Sequence, residues 1–183
     1  MHHVYLFLAP GFEEIEALTV VDLLRRANIS ITTVSITNEF NVTGAHNITI
    51  TADILFSDAD FADADMLVLP GGSPGTCNLN AFDPLKNLLK DFYNKGRYIG
   101  AICAAPMIPG QLGFLKNRKA TCYPGFEKEL TGASHVTLPV IVDEHIITSR
   151  GLGTAIDFSA ELIALLKGRE VSDQIKKQVI YNH

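Results

Sequence analysis

The stretch Arg97-Tyr98-Ile99-Gly100-Ala101-Ile102-Cys103-Ala104-Ala105-Pro106 decides the fold of this chain. Residues 98–102 are apolar or small, as a central strand of a parallel sheet requires. Cys103 follows directly, with alanine two positions before it and two positions after it. This spacing is typical of a sharp turn from strand to helix, because larger side chains would collide across the turn. Pro106 fits the first turn of that helix, so the stretch predicts a nucleophile elbow with Cys103 at its tip.

Two interpretations of Cys103 remain open at this point. At such an elbow the sulfur faces unpaired backbone N–H groups and the positive end of a helix dipole, and both favour the thiolate. Alternatively, Cys103 is a small buried thiol, since free cysteine is among the residues most often buried. The other two cysteines, Cys77 and Cys122, stand at no comparable turn and are predicted to be ordinary thiols.

The composition is typical of a soluble globular protein. The chain has 183 residues, 47% hydrophobic and 19% charged, which predicts a single domain over residues 1–183. A net charge of −5 without a Lys/Arg run argues against nucleic acid as a partner. No apolar run has transmembrane length and no signal-peptide pattern opens the chain, so neither a membrane nor export is expected. Three cysteines without a CxxC pair favour a reducing, cytoplasmic setting and no metal site.

Strands and helices alternate along the chain, which predicts a mostly parallel α/β sheet. A strand over 4–9, a helix from Glu13 to about Ala27 and a strand over 29–36 form a first βαβ unit. The apolar residues that recur every three positions are expected to form the buried face of that helix. These residues are Ile15, Leu18, Val21 and Leu24.

The remaining segments continue this pattern. The segment 41–54 is expected to form a hairpin or an excursion at the sheet edge, and 136–148 a hairpin with Asp143-Glu144 at its tip. Further strands are predicted over 66–69, 98–102 and 119–122, a helical turn over 127–131, and helices over 84–93, from about 154 to 167, and over 171–180. No repeat or linker interrupts the order, which supports one α/β domain.

Chemically unusual segments follow three of the predicted strands, at 10–16, 70–72 and 103–104. In open α/β sheets ligands bind beyond the carboxyl ends of the strands, so these segments are expected to share one crevice. Gly71-Gly72 fits two interpretations. The pair could offer a backbone N–H to an oxyanion, since glycine lets the main chain come close to a ligand, or it could be an ordinary turn.

The acidic cluster Glu13, Glu14 and Glu16 opens the predicted first helix, where the helix dipole favours negative charge. A carboxyl group beside Cys103 would share a proton with it, with the carboxyl protonated and donating to sulfur. Two of the three glutamates are expected to face solvent, and the pattern leaves open which one reaches the cysteine.

No histidine is evident as a base for the thiolate. Ala104 follows the cysteine directly, and the internal candidates downstream are His135 and His145. Neither belongs to a His-x-Glu or His-x-Asp pair, so a surface or hairpin role is favoured for both. Gly151 and Gly153 flank a predicted helix start, where they either shape the turn or form a wall of the pocket.

With these residues in hand, the chain resembles the ThiJ/PfpI superfamily, and within it the branch of the Parkinson-disease protein deglycase and its bacterial relatives. The resemblance covers nearly the whole chain and rests on five motifs in order. They are LAPGFEEIEA (8–17), VDLLRRA (21–27), VLPGG (68–72), AICAAP (101–106) and TSRGLGT (148–154).

The resemblance implies a flavodoxin-like three-layer α/β/α sandwich, usually a homodimer, that works without a cofactor or metal. It implies Cys103 as nucleophile and oxidisable thiol, with Glu16 as its carboxyl partner. Gly72 and Ala104 would be the backbone donors at the sulfur. The remaining pocket residues would be Tyr123, Gly71, Arg150 and Gly151. The implied activities are glyoxalase chemistry on small carbonyls such as methylglyoxal, deglycase action on protein adducts, and a chaperone or oxidative-stress role.

Departures from the family pattern separate the candidate functions. Ala104 stands where protease-like members carry histidine, which disfavours a peptidase. Tyr123 stands where some close relatives carry a pocket histidine, and a phenol with an ordinary pKa of about 10 is a poor base at neutral pH. The alternatives to an enzyme of this kind are a redox sensor or chaperone that uses the same cysteine, and a glutaminase, which the missing His-x-Glu pair argues against.

Overall fold

The computed structural model describes residues 2–181, and its central sheet contains seven strands. The strands of the chain are β1 (His3–Leu8), β2 (Ser30–Ser35), β3 (Asn41–Thr43), β4 (Thr49–Thr51), β5 (Ile54–Leu55), β6 (Met66–Leu69), β7 (Tyr98–Ile102), β8 (Lys119–Ala120), β9 (Ser134–His135), β10 (Val140–Asp143) and β11 (Ile146–Ser149). The central sheet has the order β10-β11-β7-β6-β1-β2-β5. All its neighbours are parallel except β10 and β11, as the alternation of strands and helices predicts.

Helices cover both faces of this sheet. They are α1 (Glu14–Arg26), α2 (Gly75–Ala81), α3 (Asp83–Asn94), α4 (Met107–Gln111), α5 (Ala155–Lys167) and α6 (Arg169–Gln178). Side chains from α1, α5 and α6 share one core with Leu6 of β1, and side chains from α3 share another with Phe7. Because neighbouring residues of β1 enter different cores, the strand needs its continuous apolar run. Residues 1, 182 and 183 of the domain predicted over 1–183 lie outside the described residues.

The buried face of α1 differs from the prediction. Ile15 is 49% exposed, whereas Glu14 and Glu16 are 2% and 1% exposed. Val21 and Leu24 are buried as predicted and Leu18 is half-buried. The prediction was wrong at Ile15, because hydrogen bonds from distant parts of the chain make burial of the neighbouring carboxyl groups tolerable, which periodicity does not register. The first turn of α1 therefore places two carboxyl groups, those of Glu14 and Glu16, in the interior.

The predicted hairpins are confirmed with adjusted bounds. β3 and β4 form a separate antiparallel pair, after which β5 joins the edge of the central sheet. β10 and β11 form the second hairpin, which begins at Val140 rather than at residue 136. β9 pairs with β8 instead, a short parallel contact that the sequence pattern did not indicate.

The connection after β7 is longer than predicted. The next helix, α4, starts at Met107 and has five residues, so Pro106 precedes it rather than opening it. Four residues therefore separate the last strand residue from the helix. Cys103 does not lie at the N-terminus of α4, so the predicted stabilisation of its thiolate by a helix dipole is wrong.

Within residues 2–181, no helix combines the length and the hydrophobicity that a membrane crossing requires.

Candidate active site

A cavity of about 380 Å³ lies beyond the carboxyl ends of β1, β6 and β7. The loops that follow these three strands supply most of its wall, as the sequence predicts. The lining residues are Glu13, Glu16, His46, Gly72, Ser73, Thr76, Cys77, Cys103, Ala104, Tyr123, Phe126 and Leu152.

Cys103 stands at a strained elbow. Its φ is +66°, a left-handed conformation that costs a non-glycine residue about 1–2 kcal/mol. Two backbone hydrogen bonds hold it there: its N–H donates to Ser149 O at 2.9 Å, and its carbonyl accepts from Tyr123 N at 2.8 Å. The neighbouring strand end and the following loop thus fix the direction of the sulfur.

Gly71 lets the two functional side chains meet. A Cβ on this residue would lie 2.6 Å from Cys103 Cβ and 2.6 Å from Glu16 Oε2, so no side chain fits between them. Its N–H donates to Glu16 Oε2 at 2.9 Å and holds the carboxyl in place. The glycine pair is therefore part of the site and not only a turn.

Glu16, which is buried, and Cys103, which is half-buried, form a hydrogen-bonded pair. Burial raises the pKa of Glu16 to about 7, although the hydrogen bonds from Cys103 and Gly71 oppose the rise. Burial, together with the charge of an ionised Glu16 and the hydrogen bond to it, raises the pKa of the Cys103 thiol. The pair therefore releases its first proton near neutral pH and keeps the second well above it.

The backbone N–H groups of Gly72 and Ala104 donate to the Cys103 sulfur and lower its pKa, so the structure brings both predicted donors to the cysteine. Burial and the neighbouring carboxylate outweigh them. The expectation of a thiolate favoured by the elbow alone is thus wrong, because the sulfur is desolvated beside a negative charge. The Cys103 thiol therefore has to pass its proton to Glu16 to become an attacking thiolate, and the protonated carboxyl then donates a hydrogen bond to the sulfur.

Glu14 pairs with His46, a histidine that sequence reasoning missed. The ring Nδ1 of His46 lies 2.9 Å from Glu14 Oε2, and the His46 backbone N–H donates to Glu14 Oε1 at 2.7 Å. Glu13 is also largely enclosed, and its carboxylate lies 3.7 Å from the same ring nitrogen. The expectation that two of the three glutamates face solvent is wrong, because the hairpin loop after β3 covers them.

The remaining predicted residues divide into two groups. Tyr123, half exposed, lines the cavity, and Gly151 adjoins it: a Cβ on Gly151 would lie 3.2 Å from the Tyr123 ring and 3.9 Å from the Cys103 sulfur. Arg150 instead lines a separate surface cleft beside Tyr123. His135 and His145 lie outside the cavity lining.

The other two cysteines differ from each other. Cys122 is buried, in agreement with an ordinary thiol. Cys77 is exposed and lines the same cavity as Cys103, a position that its place in the sequence did not indicate.

Glu13, Glu14 and His46 are the described residues that could hold a metal ion. One ligand atom from each lies within 4.8 Å of the others. The hydrogen bond between Glu14 and His46 already uses two of these atoms.

The fold and the site together define a class of protein: a flavodoxin-like α/β domain with a cysteine elbow and a buried carboxyl partner. A family model described as the DJ-1/PfpI family matches residues 2–165, and the chain belongs to this family.

Individual relatives agree with this assignment. Protein DJ-1 homolog B of Arabidopsis thaliana is 38% identical over 175 residues, which cover 94% of this chain but 40% of that protein. The chain thus spans less than half the length of this relative. A Caenorhabditis elegans protein named glutathione-independent glyoxalase DJR-1.2 is 30% identical, with 90% of this chain and 88% of that protein covered. The oxidized structure of Toxoplasma gondii DJ-1 superimposes with a TM-score of 0.96 at 31% identity, over 100% of both chains.

Proposed function

We propose that the chain is a cysteine-dependent, cofactor-free enzyme of the glyoxalase or deglycase type. Its substrates would be small reactive carbonyls such as methylglyoxal, or their protein adducts. The observation that carries this proposal is the pair of half-buried Cys103 and buried Glu16, with two backbone donors at the sulfur and a cavity of about 380 Å³ beside it. The name of the Caenorhabditis elegans relative supports it.

The proposed reaction begins at the aldehyde carbon of methylglyoxal. Cys103 passes its proton to Glu16 and attacks, the C–S bond forms, and the carbonyl electron pair moves to oxygen. Gly72 and Ala104 N–H groups stabilise that oxyanion, and Glu16 returns the proton to give a hemithioacetal.

Glu16, again ionised, then removes the hydrogen from the former aldehyde carbon and delivers it to the neighbouring carbon. The hydroxyl proton of the hemithioacetal moves to the ketone oxygen in the same isomerisation, so the product is a thioester of lactate. Water cleaves the thioester, which releases lactate and restores the thiol. The sum is methylglyoxal plus water giving lactate, so no external oxidant or reductant is needed.

Consumption of methylglyoxal by purified protein tests the proposal. Wild type is expected to produce lactate, and Cys103→Ser is expected to be no faster than the uncatalysed reaction, because serine cannot supply a thiolate. The Cys122→Ser variant is the matched control, since it changes a buried thiol that does not line the cavity and should keep its activity. Equal rates for wild type and Cys103→Ser would overturn the proposal.

A second candidate, a redox sensor or chaperone, is favoured by Cys77 and Cys103 lining one cavity. Peroxide would oxidise Cys103 to a sulfenic acid and release water. A second equivalent would give the sulfinic acid, whereas attack by the Cys77 thiol would give a disulfide and water. Intact mass after mild peroxide treatment is expected to show added oxygen or the loss of two hydrogens, both abolished in Cys103→Ser. No change in mass would count against this candidate.

We also propose that the chain forms a homodimer and works in the cytoplasm, as the resemblance and the cysteine usage suggest. Ile15 and Ile48, 49% and 50% exposed, are apolar side chains that a second copy could cover. The molar mass in solution tests the dimer: a monomer at micromolar concentration would contradict it.

A further inference from the structure

We propose that His46 is a further catalytic residue of the cavity, and that its Nε2–H protonates the second carbonyl oxygen of an α-dicarbonyl substrate. Glu14 would be the residue that positions it. This inference rests on the proposed function. It adds a residue that lies outside the five sequence motifs on which the family resemblance rests.

The position of His46 is built by the surrounding backbone. Gly11 N donates to Thr43 O at 2.8 Å, and Ala45 N donates to Phe12 O at 2.8 Å, so the loop after β3 is fixed on the loop after β1. Gly44 permits this contact, because a Cβ there would lie 2.4 Å from the Glu14 carboxyl carbon. The histidine is therefore held over the acidic first turn of α1.

The orientation of the ring follows from Glu14. This carboxyl group is 2% exposed and accepts both from the His46 backbone N–H and from the ring Nδ1. With Nδ1 engaged, the other ring nitrogen, Nε2, is left for a ligand, and within residues 2–181 it has no hydrogen-bond partner. The His46 side chain is 67% exposed, so a substrate in the cavity can reach it.

The electrostatic surroundings of the His46 ring favour its protonated form, as a general acid requires. The groups that face His46 are the carboxylates of Glu14 and Glu13, and the hydrogen bond to Glu14 with the two negative charges raises the pKa of His46 above its ordinary value. Burial would raise the pKa of Glu14, but hydrogen bonds from the His46 ring and from backbone N–H groups outweigh it and lower that pKa. The imidazolium thus persists to higher pH than a free histidine, beside a carboxylate that stays ionised.

The proposed step balances with the reaction above. As Glu16 removes the hydrogen from the hemithioacetal carbon, the C–H electron pair forms a carbon–carbon double bond. The electron pair of the ketone C=O takes the Nε2 proton of His46, which gives a neutral enediol and a neutral imidazole. The hydroxyl on the former aldehyde carbon then gives its proton to Nε2 as that C–O bond becomes C=O, and the neighbouring carbon accepts the carbon-bound proton from Glu16. The proton first donated by His46 stays on the new lactate hydroxyl. Glu16 therefore transfers the proton between the two carbon atoms, and His46 transfers protons to and from the oxygen atoms.

The test compares His46→Gln, Glu14→Gln and the control His135→Gln in methylglyoxal turnover from pH 6 to pH 9 with EDTA present. His46→Gln is expected to lower kcat about 100-fold with little change in KM, the lower end of general acid catalysis. It should also lose the decline of kcat at high pH. Glu14→Gln should move that decline to lower pH, which a merely structural role would not do. His135→Gln, on an exposed residue outside the cavity lining, should match wild type.

The outcomes separate the two proposals. Wild-type kcat and an unchanged pH profile in His46→Gln, with Cys103→Ser inactive, would overturn the role of His46 and leave the proposed function standing. No turnover by wild type would overturn both. The rate of Cys103 alkylation by iodoacetamide should be unchanged in His46→Gln, and a large change there would show that the loss arises from the Cys103–Glu16 pair instead.

Discussion

Glu16→Gln is expected to be more stable than wild type at pH 8 and nearly inactive toward methylglyoxal. Burial raises the pKa of Glu16 to about 7 in the folded protein, whereas an exposed glutamate titrates at about 4.3. Between these values the native state holds a proton that the unfolded chain has released, so stability falls as the pH rises through this window. Above it the full cost of a buried carboxylate applies, and glutamine does not incur that cost.

The size of this effect is large for one substitution. A shift of this size corresponds to roughly 4 kcal/mol, or about 7–15 °C in Tm for a chain of this length. The advantage should vanish near pH 4, where wild-type Glu16 is also protonated. Activity should fall by a factor of about 10² to 10⁴, because glutamine cannot move the proton between sulfur, oxygen and carbon.

Thermal unfolding at pH 4 and pH 8 measures the stability difference, with Glu39→Gln as the control. Glu39 is exposed, so its substitution should leave Tm nearly unchanged at both values of pH. Equal Tm values for wild type and Glu16→Gln at pH 8 would show that Glu16 carries no burial cost, and with it no raised pKa.

The elbow itself could be predicted from the sequence because its determinants are local. Residues 98–102 must be apolar to fill both faces of the sheet, and the alanines around Cys103 must be small to allow the turn. The βαβ alternation depends on equally short patterns. The structure confirms each of these elements within a few residues.

The electrostatics of the site could not be predicted in this way because its determinants are distant in sequence. Glu14 is stabilised by His46, 32 positions away, and Glu16 by the N–H of Gly71, 55 positions away. Periodicity assigns an acidic first turn to solvent, since it contains no information about such partners. The pKa of Cys103 is likewise set by burial and by the carboxyl group of Glu16 in α1, rather than by the short helix that follows the cysteine.

Gly72→Ala is expected to be strongly destabilised and to lose activity. The φ of Gly72 is +103°, and a Cβ there would lie 2.4 Å from both Glu13 N and Gly11 O. Both contacts are to backbone atoms of the loop between β1 and α1, which cannot rotate away as a side chain could. The left-handed conformation and the overpacking together should cost about 3–5 kcal/mol, or roughly 10 °C in Tm.

Gly113→Ala separates the two contributions. Gly113 has φ +80° but nothing within 4 Å of its Cβ position, so this control carries the conformational cost alone, about 1–2 kcal/mol. Folded Gly72→Ala should also react more slowly with iodoacetamide at Cys103, because a shift of residue 72 withdraws a hydrogen-bond donor from the thiolate. If both variants had the same Tm and wild-type alkylation rates, the close approach of Gly72 to the α1 loop would not be what holds the donor at the sulfur.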